Sequence, residues 1–134
     1  MLDLDQSAAG DDEVLVEVAA VRICDSEFEG FANQSPTRVP PLSMGHEFAG
    51  IRLDKGWSVV VNPVVSCRRC DLCLRGLTNI CRQLQILGIR KAGRCANRVA
   101  VPEVNCYTLA SYSPFAIAAV VEPVANATHA FRPS

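Results

Sequence analysis

The sequence predicts a mainly β (α+β) domain with a cysteine lobe and a helical tail. Three observations carry this: short Val-rich runs separated by turn residues, four cysteines within fifteen residues, and a Ser-Pro pair ahead of an apolar stretch near the C-terminus. The 134 residues are 49% hydrophobic and 20% charged, which suits one globular domain able to bury a core without disulfide staples.

Val14-Leu15-Val16-Glu17-Val18 follows the acidic turn Asp11-Asp12-Glu13 and reads as a strand. Cys24 to Phe28 breaks the β pattern and suits one helical turn. Gln34 to Pro41 holds three prolines and reads as an irregular loop. Phe48–Leu53 and Trp57–Val61 read as strands joined through Asp54-Lys55-Gly56, a tight hairpin in which Gly56 takes the positive φ. Residues 62–83 form the lobe, with little periodicity. Arg98–Pro102 and Cys106–Leu109 resume strand character. Ser113 and Pro114 suit the cap and first position of a helix through Ala118. Pro123 is expected to interrupt it near Glu122, with a restart over Val124–Phe131.

With a net charge of −1, the chain has no broad field to attract nucleic acid or an anionic membrane, so neither is expected as a partner. The longest apolar run, Phe115 to Val121, is too short to span a bilayer. Seven cysteines, an odd number with four crowded together, argue against a secreted disulfide framework and for a reducing, cytoplasmic setting.

Cys67, Cys70, Cys73 and Cys81 are spaced C-x2-C-x2-C-x7-C, and four thiolates close a tetrahedral shell around a structural zinc. Arg68, Arg69, Arg75 and Arg82, against the single acid Asp71, offer charge to offset them. An iron–sulfur cluster would favour a shorter last gap followed by Pro, whereas Arg82 follows Cys81. A nucleic-acid-reading finger would need paired histidines and a helix that the lobe lacks. Cys95 and Cys106 read as core residues. The other metal-competent residues are Cys24, His46-Glu47, Glu122 and His129; each is weak alone, and for His129 a packed or surface position is preferred.

The flanking residues add a resemblance. Gly45-His46-Glu47-Phe48-Ala49-Gly50 resembles the Gly-His-Glu-x-x-Gly signature of zinc-dependent medium-chain alcohol and polyol dehydrogenases, and Ile23-Cys24-Asp25-Ser26-Glu27 resembles that family's Ile-Cys-Gly-Ser-Asp. The lobe spacing, Val59-Val60-Val61-Asn62-Pro63 and Val121-Glu122-Pro123-Val124-Ala125 match in the same order. The resemblance implies a GroES-like, partly open β-barrel over residues 1–134, an incomplete catalytic domain with two zinc ions per chain. Cys24 and His46 would be ligands of the catalytic zinc, Glu47 or Glu122 would supply a carboxylate as in the sorbitol-dehydrogenase-like branch, and Ser26 would relay the substrate proton.

The chain departs from the family at Asp25 and Glu27, which stand where the pattern has Gly and Asp, and in a shortened stretch between Gly50 and Gly56. No G-x-G-x-x-G follows a strand, so NAD or NADP would need a Rossmann domain that these residues do not supply. The expected function is the catalytic domain of an NAD(P)-dependent dehydrogenase acting on a small alcohol or polyol, inactive alone, with homo-oligomerisation open to a full-length protein. The alternative is a non-catalytic, zinc-stabilised binding or scaffold module.

Overall fold

The computed structural model describes residues 9–33, 44–89, 97–110 and 113–131. The expected loop over Gln34 to Pro41, and Cys95, lie outside them. Among the described residues seven strands form: β1 (Glu13–Arg22), β2 (Glu47–Arg52), β3 (Trp57–Val61), β4 (Val64–Val65), β5 (Gln85–Ile86), β6 (Arg98–Pro102) and β7 (Cys106–Thr108). Five make an antiparallel sheet in the order β6-β1-β2-β3-β7, curled into the half-barrel of a GroES-like fold, while β4 and β5 form a separate ribbon.

The alternation that makes these segments strands also builds the core. Val14 and Val16 of β1, Val99 and Val101 of β6, and Val59 and Val61 of β3 turn inward at every second position around Phe48. Leu87, just past β5, joins them fully buried, and Cys106 packs against the cluster as a core residue. Burying one such aliphatic side chain contributes roughly 1.5–3 kcal/mol, so this seam is the main source of barrel stability.

Two turns fix the sheet. β2 and β3 are joined by Leu53–Gly56, closed by the Gly56 N–H donating to the Arg52 carbonyl at 2.8 Å, and Gly56 takes φ 68° as expected. β1 carries a bulge between Val18 and Ala20 opposite Gly50. There the backbones approach so closely that a Cβ on Gly50 would lie 2.1 Å from the Glu17 carbonyl oxygen, which explains the last Gly of the Gly-His-Glu-x-x-Gly run.

The helices differ from the sequence expectation in extent. α1 (Asp25–Asn33) is a nine-residue helix rather than a single turn. α2 (Asp71–Leu74) lies in the lobe. In α3 (Phe115–Ala118), Pro114 is the N-cap residue with extended ψ 133°, not the first helical position. α4 (Val121–Ala130) starts before Pro123 and is not interrupted by it. The reason is positional: in the first turn a backbone N–H has no carbonyl to reach, so a proline there removes no helix bond. α3 packs on β1 and β2, and Ala118 within it and Ala119 just after it are buried. His129, in the last turn of α4, is exposed. No helix among the described residues is long and apolar enough to cross a membrane.

Candidate metal centres

The lobe leaves and rejoins the barrel at one root. The Asn62 N–H donates to the Asn105 carbonyl at 2.9 Å, and the buried Asn105 side chain donates to the carbonyls of Asn62 and Val64 at 2.7 and 2.9 Å. On the return, the Leu87 N–H donates to the Pro63 carbonyl at 3.1 Å. Beyond this root, the β4–β5 ribbon, α2 and a 3-10 turn at Thr78–Ile80 hold the four cysteines.

Their sulfurs lie within 4.8 Å of one another, with Cys67–Cys73 and Cys70–Cys81 both at 4.0 Å. The edge of a zinc–thiolate tetrahedron with bonds near 2.3 Å is about 3.8 Å, so the cage fits a zinc ion and is far too wide for a disulfide. All four are free thiols. The backbone supports negative charge: the N–H groups of Cys67 and Gln83 donate to the Cys81 sulfur at 3.2 and 3.3 Å. Contacts from the Cys67 N–H hold the Cys81 thiol below its ordinary value, and those from the Cys73 and Arg82 backbones bring Cys70 down to about 6. Burial, followed by the neighbouring sulfurs, pushes Cys73 up to about 12, so a thiolate at that position requires a cation. Of the expected arginines, Arg82 is paired: its fork holds Asp71 at 2.7 and 2.9 Å. Arg68 sits at φ 56°, a left-handed turn between two ligands that carries strain for a non-glycine residue.

The second cluster joins parts of the chain far apart in sequence. Cys24 precedes α1, His46 immediately precedes β2 and Glu47 opens it, and their ligand atoms also lie within 4.8 Å of one another. His46 and Glu47 are 7% and 1% exposed, so both lie largely out of solvent. His46 Nε2 faces Glu47 Oε1 across 4.0 Å, a gap that two metal–ligand bonds of about 2.0–2.2 Å can bridge. His46 Nδ1 is buried with no hydrogen-bond partner, and Glu27 Oε1 lies 3.4 Å from it. An unmade buried bond costs about 1–3 kcal/mol. An ion on the other ring nitrogen would polarise that N–H toward Glu27, so the donor set fits a divalent metal. The Ser26 hydroxyl donates to the Cys24 sulfur at 3.4 Å and is half-buried.

Two charged residues support these candidate ligands. Glu27, 4% exposed, accepts from the Cys24 N–H at 3.0 Å through one oxygen and from the Gly45 N–H through the other. It staples the two ligand-bearing segments together. Arg22 donates through Nη1 to Glu47 Oε2 at 2.6 Å. Hydrogen bonding to Glu47, followed by its charge, raises the Arg22 pKa above its ordinary value.

Residues 10–111 match the family model described as the alcohol dehydrogenase GroES-like domain. The chain belongs to that family. Among its curated relatives, L-galactonate-5-dehydrogenase of Escherichia coli is 31% identical over 132 residues, covering 92% of this chain and 38% of the relative. Among solved structures, galactitol-1-phosphate dehydrogenase from Escherichia coli superposes with a TM-score of 0.89 at 26% identity, covering 98% of this chain and 40% of that one. A cobalt- and zinc-bound thermostable alcohol dehydrogenase from Pyrobaculum aerophilum gives a TM-score of 0.75 at 26% identity, covering 88% and 39%. The GroES-like chain thus spans about two fifths of the length of the proteins it matches.

Within this GroES-like domain the expected site residues separate. Cys24, His46 and Glu47 converge, with Ser26 beside them. Glu122 is not in that cluster; it lies half-buried in the first turn of α4, where its Oε1 accepts from Asn126 at 2.7 Å. Sequence reasoning gave no role to Arg22 or Asn105 and treated Glu27 only as a departure from the pattern. The available signal was weak: a Glu three residues after Cys24 has the reach of a first-turn capping carboxylate.

Proposed function

We propose that the chain is the metal-binding part of a zinc-dependent dehydrogenase of alcohols or polyols, with a structural ion in the four-cysteine lobe and a catalytic ion at Cys24, His46 and Glu47. The observation that carries this is the convergence of a thiol, an imidazole and a carboxylate, buried on one side and backed by Glu27 and Arg22. Three protein ligands leave a fourth position for a substrate oxygen, whereas the lobe leaves none. A zinc ion there supplies Lewis acidity, lowering the pKa of a substrate hydroxyl so that its carbon can release hydride.

The chain's own residues do the rest. Cys24 and Glu47 supply the anionic donors and His46 a neutral one. Ser26 Oγ, beside Cys24 and half open to solvent, takes the hydroxyl proton and passes it outward. Glu27 keeps Cys24 and His46 in register. We assign Glu122 to the rim, outside the ligand shell, where Asn126 holds it. The hydride acceptor, NAD or NADP, is assigned to residues of a longer protein beyond these 134. Ile23, Phe28 and Phe31 expose apolar surface next to Cys24, which suits a covering body on that side.

Metal analysis tests the reading. The purified chain should hold two zinc ions, and Cys24→Ser should hold one. In competition with a chelator, Glu47→Gln should weaken the second ion about 10–100-fold, while Glu122→Gln should change it less than about threefold. A wild-type chain that takes up one equivalent only, in the lobe, would refute the second site.

A further inference from the structure

Arg22 and Glu47 are direct cross-strand partners, the last residue of β1 opposite the first of β2. The pair is lopsided. The Glu47 side chain is 2% exposed and the Arg22 side chain 43%, so a guanidinium anchored near solvent reaches in to a carboxylate that water does not reach. It takes one oxygen only, Oε2, at 2.6 Å, and leaves Oε1 turned toward His46 Nε2.

A carboxylate next to a divalent ion has two modes: one oxygen, or both. With Cys24, His46 and a single Glu47 oxygen, three of four tetrahedral positions are filled. With both oxygens, the shell closes and a substrate oxygen must displace a ligand. We propose that Arg22 is a positioning residue that holds Oε2 of Glu47 away from the metal, makes Glu47 a one-oxygen ligand, and so keeps one coordination position open. The inference rests on the metal site assigned above and extends it to a residue that contacts neither metal nor substrate.

Cobalt reports the coordination number directly, because four-coordinate cobalt absorbs far more strongly in the visible region than five- or six-coordinate cobalt. The chain is loaded with two equivalents of cobalt, and wild type is compared with Arg22→Met and Arg22→Lys. The lobe's cobalt–thiolate charge-transfer band is the internal control for folding. In Arg22→Met, the visible bands of the second cobalt should weaken at least about twofold. That ion should also be held about tenfold more tightly, since a cation near a dication is gone and a second donor oxygen is free. Arg22→Lys should move the same way to a smaller extent, and it decides the matter if Arg22→Met loses the lobe band. Variants with wild-type spectra, or with weaker binding of the second ion, overturn the inference while leaving the site intact. A wild-type chain that never loads the second equivalent overturns both.

Discussion

The lobe and the Cys24–His46–Glu47 cluster each gather metal donors within 4.8 Å, yet they are built in opposite ways. In the lobe, four donors of one kind come from a single stretch, and short local turns aim them: α2, the 3-10 turn and the left-handed Arg68. In the second cluster, three donors of different kinds come from segments twenty-two residues apart, and the sheet brings them together through the Arg22–Glu47 pairing at one end of the β1–β2 ladder. The lobe has little apolar core, and in the reading proposed above a structural ion supplies its order. The mixed cluster is held by the barrel and by two supporting charges, Arg22 on Glu47 and Glu27 on the Cys24 and Gly45 N–H groups. A closed site made by its ligands suits structure, and an open site made by its scaffold suits chemistry.

That contrast can be broken by striking each region alone. The largest effect is expected from Cys70→Ser. Binding of a structural zinc supplies on the order of 10 kcal/mol of local folding free energy, so residues 64–86 should lose protection from proteolysis along with one zinc equivalent. The barrel and the second ion should persist. Loss of both ions together would show that the two regions fold as one unit.

The converse strike is Gly50→Ala. A methyl group 2.1 Å from the Glu17 carbonyl oxygen forces β1 and β2 apart at the bulge, at a cost on the order of 3 kcal/mol. The urea midpoint should fall, and the second ion should be lost before the lobe ion under mild chelation. Equal loss from both sites would remove the proposed dependence of the mixed cluster on sheet register.

The smallest effect concerns the far end of the β2–β3 hairpin, where it should touch neither centre. The nearly buried Arg52 grips Asp54 at 2.6 and 2.7 Å and Glu103 at 2.7 Å, and its hydrogen bonds hold the Asp54 carboxyl below the usual carboxylate range. A depressed folded pKa gives stability that is present above the unfolded value, about 3.9, and disappears as pH falls through the folded one. Asp54→Asn should therefore be slightly less stable than wild type at pH 7, and the gap should close as pH falls through the depressed folded value of Asp54. Solvent around this half-exposed pair keeps the difference small. A gap that widened toward low pH would reverse the assigned sign.

What could be read from the sequence follows the range of the interactions. The lobe was legible because C-x2-C-x2-C-x7-C is local, and two-residue gaps limit where the sulfurs can go. The strands were legible because alternating valines leave one face to bury, and Gly56 because few other residues suit φ 68°. Cys24, His46 and Glu47 were singled out by residue type and flanking motif, but their union is a property of the folded sheet. Which oxygen of Glu47 is free depends on Arg22 standing opposite it across the ladder, a register set by the bulge at Val18–Ala20. Glu27 joins Cys24 to Gly45, and Asn105 ties the lobe root to the barrel across forty-three residues, through hydrogen bonds that no periodicity encodes. Pro123 shows the same limit in reverse: its effect depends on where the helix starts, and α3 packing on β1 and β2 determines how the chain enters α4. Local spacing determined the donors of the lobe and the strands of the barrel; tertiary pairing decided which carboxylate reaches the second site and how it is held, because only the closed sheet brings those charges within bonding distance.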